Sequence, residues 1–479
     1  MKAQNILLFI IIIIACLALI AFFFPSESNK SKLRFPTLSE ILIRSSIEEK
    51  DPEEILKQWN INTLLEKADT VDIVSQKINK EDTIRFIESF FGMMESSFEL
   101  PESNISYFDP FFERAEVARG AHEIVRVLYY GDSQIELDRF SSNLRFFFQQ
   151  KFGGGGPGMV PFHQTIPSGA VNQSYSGDYT CFSLWGRVLK NKENDYGPFA
   201  KMFRINGTAS FTANAPNRKG AIDNRDNYSN ISLLFNNLDS SFSANFFDNI
   251  NATKHDFTTD SRGIQLLEFP FPFSTKSFSI YMNGNANIYG VLIDDGFGVA
   301  VDNIAMRGAN GLHFSSMQDS LMRLTFRLLN VGMFILQYGG NAVPGLSGDK
   351  SVDLYVAGIV NQIKYLQHVA PCIPILFIGP SDMLSIEEGE LQTYKYLPYL
   401  VKRLSEEIPK SGAAFWNMYH VMGGNNSMRA WVKKGWAGSD YVHFTNKGAQ
   451  ELAKVLTQTF ETMYEYYRIK CLSAAALRE

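Results

Sequence analysis

The 479-residue chain sets 45 Lys and Arg against 50 Asp and Glu, a formal net charge of -5 with the signs interspersed, so it offers no basic face to a DNA or RNA partner. An apolar share of 45% is that of a globular chain with a full core, which excludes wholesale disorder, and the length admits two to three domains. The 39 Phe and 20 Tyr suit β-rich packing first and sugar-stacking surfaces second.

In chain order, Ile6 to Phe24 are uncharged and apolar throughout, long enough to span a hydrocarbon core as one helix. Residues 1–30 are expected to be a membrane segment or a signal peptide. Ala21-Phe22-Phe23-Phe24-Pro25 is bulky where a signal peptidase needs small side chains, which favours an uncleaved signal anchor. Cys16 after Ile13-Ile14-Ala15 resembles a lipid-attachment site, but apolar Leu17 to Phe24 follows where a polar tether is expected. Lys2 on one side against Lys30, Lys32 and Arg34 on the other does not fix the orientation.

Residues 31–120 show helical periodicity in Ile41–Glu49, Pro52–Glu66 and Glu81–Met93 and predict a helical stalk or cap. A helix from Phe111 to Ala121 leads into a strand over Ile124–Tyr130, followed at once by Gly131-Asp132-Ser133-Gln134. Leu137–Lys151 predicts a helix and Phe152–Pro161 a glycine-rich loop. That loop lacks the Gly-Lys-Ser/Thr ending of a phosphate loop, so its glycines are expected to allow close backbone approach near an active-site rim.

From residue 163 to 295 the texture changes to short alternating runs punctuated by Asn, Asp, Gly and Ser. They include Tyr179–Leu184, Ser210–Thr212, Ile231–Phe235, Phe242–Phe247, Leu266–Phe269, Phe278–Met282 and Ile288–Ile293. This predicts a β-sandwich-like insertion between residues 121–162 and 296–479. The last segment alternates helices (Ser315–Leu329, Ser351–His368, Leu391–Ile408, Gly448–Tyr467) with strands (Met333–Gln337, Pro374–Ile378, Ala413–Trp416). The fold class is therefore α/β, a mostly parallel sheet flanked by helices, with ligands expected at the carboxyl ends of the strands.

Ser133 stands at such an end, and Asp440-Tyr441-Val442-His443 lies far downstream. A serine hydroxyl is a poor nucleophile until an imidazole takes its proton, and the imidazole needs an acid to fix its tautomer. Asp440 is three residues from His443, close enough to bond one ring nitrogen while the other faces Ser133. Asp132 beside the nucleophile is expected to bond turn amides, since adjacent side chains diverge. Asp382 in Gly379-Pro380-Ser381-Asp382 is either a helix cap or a pocket residue. His313 and His420 have no partner pattern, no cluster has metal spacing, and no cofactor is expected. Cys16, Cys181, Cys372 and Cys471 lack the spacing of a disulfide framework and are expected to be small buried hydrophobes.

These residues resemble the SGNH/GDSL hydrolase superfamily, whose blocks are a Ser in Gly-Asp-Ser, a Gly, an Asn in Gly-x-Asn and a His in Asp-x-x-His. Gly339-Gly340-Asn341 provides the third block, though Ala342 follows it where the family often has a small polar residue or an acid. Tyr130–Glu136, Leu144-Arg145 and Phe152–Pro161 resemble the peptidoglycan O-acetylesterase branch. That resemblance implies Ser133 as nucleophile, His443 as base, Asp440 as orienter, and Asn341 with Gly308 as oxyanion donors, Gly311 being the reserve glycine. It implies a carbohydrate-binding-like β-domain at 163–295 and a serine esterase removing O-acetyl groups from cell-wall glycan, peptidoglycan foremost. The bulk of the chain would then be membrane-anchored on the extracytoplasmic side of a bacterial envelope. The alternatives are an O-acetyltransferase with a membrane acyl-donor partner, and a non-catalytic glycan-binding protein built on the same scaffold.

Overall fold

The computed structural model describes residues 50–59, 85, 88 and 97–476, apart from 165, 167, 187, 217–227 and 388. The expected anchor at 1–30 and most of the expected stalk lie outside the described residues, among which no helix is long and apolar enough to cross a membrane. Of the expected stalk helices only the start of the second is described as a continuous segment, α1 (Pro52–Lys57), which ends at Lys57 rather than at Glu66; Asp51 accepts from Glu53 N at its start. Trp59 just beyond is buried, and its indole N–H donates to Val421 O.

α2 (Asp109–Ala121) ends at His122 in the left-handed region and feeds β1 (Ile124–Gly131), a strand buried along almost its whole length. A 3-10 turn over Ser133–Asp138 precedes α3 (Ser141–Phe152), which starts later than its periodicity predicts because Leu137 and Asp138 adopt positive φ. β2 (Gly158–Val160) follows the glycine run. The glycines do allow close approach, but to strands rather than to the rim of the site. A side chain on Gly156 would stand 2.3 Å from Ile293 O, and one on Gly158 would meet Asp302.

Next come β3 (Asn172–Ser183), β4 (Lys201–Asn214), β5 (Tyr228–Asp248), β6 (Lys254–Thr259), β7 (Gly263–Thr275) and β8 (Ser277–Asp294). With β2 they form one antiparallel network, β3-β4-β8-β5-β6, in which β2 also pairs with β8 and β7 with β5. The runs Ile231–Phe235 and Phe242–Phe247, expected as separate strands, belong to the single strand β5. Its first half pairs with β7 and its second with β6, and the register against β8 shifts between Asn237 and Phe242. Phenylalanines fill the core of the β-rich region, among them Phe211, Phe235, Phe242, Phe246 and Phe278.

β8 turns through Gly296 directly into β9 (Gly298–Ala305), a strand the sequence did not announce. Then follow α4 (Asp319–Leu328), β10 (Val331–Gln337), α5 (Asp349–Val369) and β11 (Ile375–Ile378). The stretch from Leu391, expected as helix, is instead half of the hairpin β12 (Leu384–Glu387) and β13 (Glu390–Thr393). α6 (Leu397–Lys410) begins only where Pro398 occupies its first turn. β14 (Ala414–Trp416), α7 (Met418–Val421), α8 (Ser427–Lys433) and α9 (Asn446–Ala476) complete the chain.

The parallel sheet runs β9-β1-β10-β11-β14. Numbered in chain order this is 2-1-3-4-5, so the connections diverge between β1 and β10 and open a crevice at their carboxyl ends. Alternate residues of β1 supply the two faces: Val127 and Tyr129 pack with Phe111, Phe148 and Phe460, while Leu128 and Tyr130 pack with Phe326, Ile359 and Leu404. The second core also takes in Met202, Leu234 and Tyr289, so part of the β-rich region, whose own core is separate, packs against the parallel sheet. Of the cysteines, Cys181 is half-buried, but Cys372 and Cys471 are exposed, contrary to expectation.

Candidate active site

Ser133 follows β1 and Asn341 follows β10, so the two stand on either side of the crevice. The turn after β9 brings Gly308 to the same place. A cavity of about 670 Å³ is lined by Ser133, Gly308, Asn341, Asp440 and His443 together. Gly311 does not line it; a side chain there would meet the Tyr338 ring at 2.9 Å, so its role is close packing. Gly308 has φ +77°, a conformation that turns the chain sharply after β9 and suits glycine. Among the described residues the Ser133 and Gly308 amides have no acceptor.

The Ser133 hydroxyl lies 2.8 Å from His443 Nε2, and His443 Nδ1 lies 2.7 Å from Asp440 Oδ2. An ionised carboxylate only accepts, so Nδ1 carries the ring proton and Nε2 accepts from the serine hydroxyl. Asp440 Oδ1 also accepts from the Val442 and His443 amides, which locks the turn holding the imidazole. Burial pushes the Asp440 carboxyl up, but the His443 ring and those two amides outweigh it and leave it below its ordinary value.

Asp132 is buried and differs from Asp440 in kind. Its Oδ1 accepts from Gln134 N at 2.9 Å, as expected of a turn residue, and its Oδ2 accepts from Asn341 Nδ2 at 2.9 Å. Burial raises it to about 6, against the pull of the Gln134 amide, the His443 ring and the Asn341 amide. Asn341 Nδ2 also donates to Ala309 O at 3.1 Å. Both hydrogens of that amide thus have acceptors, and an oxyanion would have to share one of them.

Two residues to which the sequence assigned no role tie the loops together. Gln134, itself part of the first block, donates to Val442 O at 2.7 Å. Arg139 donates to Ser133 O at 2.6 Å and to Phe444 O at 2.8 Å, so one guanidinium holds the serine turn and the histidine turn. Glu136 is buried at the cavity edge and takes a two-point ion pair from Arg307, at 2.8 and 2.6 Å.

Asp382 neither lines the cavity nor caps a helix entry, since β12 follows it; its buried carboxylate instead accepts from Met428 N in the first turn of the distant α8 and from Thr393 Oγ1. His313 is buried without a hydrogen-bond partner among the described residues, and burial pushes it down to about 3. His420 packs against Trp59 with the ring planes tilted by 53° and does not line the cavity. Among the described residues no group of three or more His, Cys, Asp or Glu side chains could hold a metal ion.

No protein-family model matches the chain, and no curated protein does. A solved structure of a peptidoglycan O-acetylesterase superposes with a TM-score of 0.61 at 21% identity, covering 74% of this chain and 96% of that one. A family two carbohydrate esterase from Cellvibrio japonicus (TM-score 0.25, 11% identity, 62% of this chain and 98% of that one) is too distant in shape to add to this comparison. So is an acetylxylan esterase from Geobacillus stearothermophilus (0.25, 12%, 34% and 72%). The chain therefore shares the fold of that peptidoglycan O-acetylesterase.

Proposed function

We propose that the protein is an SGNH/GDSL-type serine hydrolase that removes O-acetyl groups from cell-wall glycan, with peptidoglycan the leading substrate. The observation that carries this reading is the continuous hydrogen-bonded line from Ser133 through His443 to Asp440 in a cavity at the carboxyl ends of a parallel sheet. The fold shared with a peptidoglycan O-acetylesterase supports it.

Ser133 Oγ attacks the ester carbonyl carbon as its proton passes to His443 Nε2. The oxyanion is met by the Ser133 and Gly308 amides, with Asn341 as a third donor that loosens its bond to Ala309 O. Collapse breaks the bond to the sugar oxygen, which leaves with the proton from Nε2, and an acetyl-serine remains. Water then gives its proton to Nε2 and its oxygen to the acetyl carbon; collapse breaks the bond to Ser133 Oγ, which takes the proton back from Nε2, releasing acetate and restoring Ser133. Asp440 stays ionised and holds the imidazolium in each half-reaction. Anchoring through residues 1–30 at the extracytoplasmic face of a bacterial envelope would put the site beside such a glycan.

The test is acetate release from O-acetylated peptidoglycan by the full-length protein, with Ser133→Ala as the blank. Release that depends on Ser133 is the expected result. Hydrolysis of a small aryl acetate without any acetate from O-acetylated glycans would overturn the substrate class. Acetyl groups appearing on an added glycan acceptor in excess of free acetate would favour the transferase, with its membrane acyl-donor partner, over the esterase.

A further inference from the structure

Beside the triad cavity is a second one of about 410 Å³, between the β-rich region and the end of the parallel sheet. Glu136 and Arg307 line both cavities, so their ion pair forms the partition. Trp185 Nε1 donates to Arg307 O at 2.8 Å, tying the end of β3 to the turn that carries Gly308. Most of the wall is apolar, with Met159, Val160, Phe199 and Phe203 among it.

Among the described residues the charged side chains of this wall, Glu136, Asp138, Lys201 and Arg307, leave one cation unpaired, because each acid is held by an arginine. Glu136 is held by Arg307, and Asp138 by Arg145 at 2.9 Å and by the Asn303 amide at 3.0 Å. Lys201, the first residue of β4, is half-buried, and its ammonium has no hydrogen bond or ion pair among the described residues. Its titratable neighbours, the Cys181 thiol and the His163 ring, supply no counter-charge: burial raises the thiol, and burial together with Lys201 lowers the imidazole. Burial lowers the Lys201 ammonium as well. A desolvated cation without an anion costs free energy that an arriving anion restores, and low-dielectric walls increase the effect. A single unpaired ammonium in a mostly apolar wall matches the one charge of a monoanion such as a carboxylate, whereas a phosphate dianion calls for more than one cation.

We propose that this cavity is a carboxylate subsite, in which Lys201 receives a carboxylate carried by the same glycan whose O-acetyl ester is presented to Ser133. The assignment rests on the glycan-esterase reading and narrows it to acidic glycans. Lys201 is a binding residue here and takes no part in the chemistry.

Full-length parent, Lys201→Met and Lys201→Arg are compared on three substrates: O-acetylated glycan fragments with free carboxylates, the same fragments with the carboxylates amidated, and an aryl acetate. The parent should show a KM roughly tenfold or more higher on amidated fragments, as expected for one charge-assisted hydrogen bond. Lys201→Met should treat both fragments alike, Lys201→Arg should recover part of the preference, and aryl acetate turnover should be the same in all three. Because Lys201→Met removes a desolvated cation, its thermal midpoint should hold or rise. A parent indifferent to amidation, or a Lys201→Met variant that loses all substrates together with a lower midpoint, would overturn the subsite. Should no O-acetylated glycan be turned over, the esterase reading fails separately, and calorimetry with deacetylated carboxylate fragments decides the subsite. Binding to the parent that is lost in Lys201→Met supports it, and no binding to either sinks it.

Discussion

Two clusters in this molecule join a basic side chain to carboxylate chemistry, and they sit in opposite surroundings. Arg126 on β1 bridges Asp294 at the end of β8 and Asp302 on β9, with all three side chains at 2% exposure or less. Asp302 also accepts from Met159 N on β2, so the trio pins four chain segments where the β-rich region meets the parallel sheet. In the Ser133-His443-Asp440 line, by contrast, the His443 and Asp440 side chains are 38% and 51% exposed and stand on loops. Sealed charges cannot change partners without a large desolvation cost, which suits a joint. A proton must move twice per turnover through His443, which suits a site that water and substrate can reach.

The sharpest break of this contrast is at Ser133. Ser133→Ala removes one hydroxyl whose bond among the described residues is to His443, and should lower kcat on an aryl acetate by at least about a thousandfold, since triad members act as a unit. Its unfolding midpoint should match that of the parent. Activity within a few-fold of the parent would remove Ser133 from the nucleophile role.

Arg126→Met should do the reverse. It leaves Asp294 and Asp302 buried without their cation, which costs about 3–5 kcal/mol of stability. The fraction still folded in the cold should keep the parent kcat. Urea unfolding followed beside aryl acetate turnover separates the two effects, and a variant that is stable yet inactive would merge two clusters that the contrast keeps apart.

The same contrast explains what could be read in the sequence. The Asp440–His443 bond spans one turn, so its spacing announces it, and Ser133 and Asn341 each sit just past an apolar strand whose end defines the crevice. Arg139 reaches from Ser133 O to Phe444 O, a bond between loops distant in sequence for which no local pattern exists. The Arg126 trio was equally silent: a lone Arg in Ile124–Tyr130 looks like an interruption until β8 and β9 bring its acids. β9 was missed because it follows β8 after one tight glycine turn, and the apolar runs of the two blur together. Leu391 suggested a helix by periodicity alone, whereas Pro398 was the better start signal. Asn236 to Ser241 looked like a loop because polar residues dominate it, yet the strand continues there with a register shift.

Asn341 is the intermediate case, part of the site by position and part of the scaffold through Asp132. Asn341→Ala should lower kcat by about a hundredfold with little change in KM if its amide turns to the oxyanion in the transition state. A change confined to KM would make it a substrate-binding residue. Restored activity in an Asp132→Asn, Asn341→Asp double variant, with donor and acceptor exchanged, would show that bonding to residue 132 is its whole contribution.

The smallest effect expected is on pH dependence, and it sets Asp132 against Asp440. Asp132 is raised to about 6 by burial from an ordinary value of 3.8, so between those values the folded protein keeps a proton that the unfolded chain has released. The unfolded state then binds fewer protons, and stability falls as pH rises through that window and levels off above it. Asp382, also raised to about 6, contributes in the same sense, whereas the lowered Asp440 contributes in the opposite one. Asp132→Asn cannot titrate and should remove its share of the decline, on the order of 2 kcal/mol between pH 4 and 7, while leaving the share of Asp382 in place. Urea unfolding of parent and variant across that range reads the difference directly. Identical slopes would mean that the Gln134 and Asn341 donors compensate the burial of Asp132 fully, making it an acid as ordinary in its titration as Asp440 is exposed in its setting.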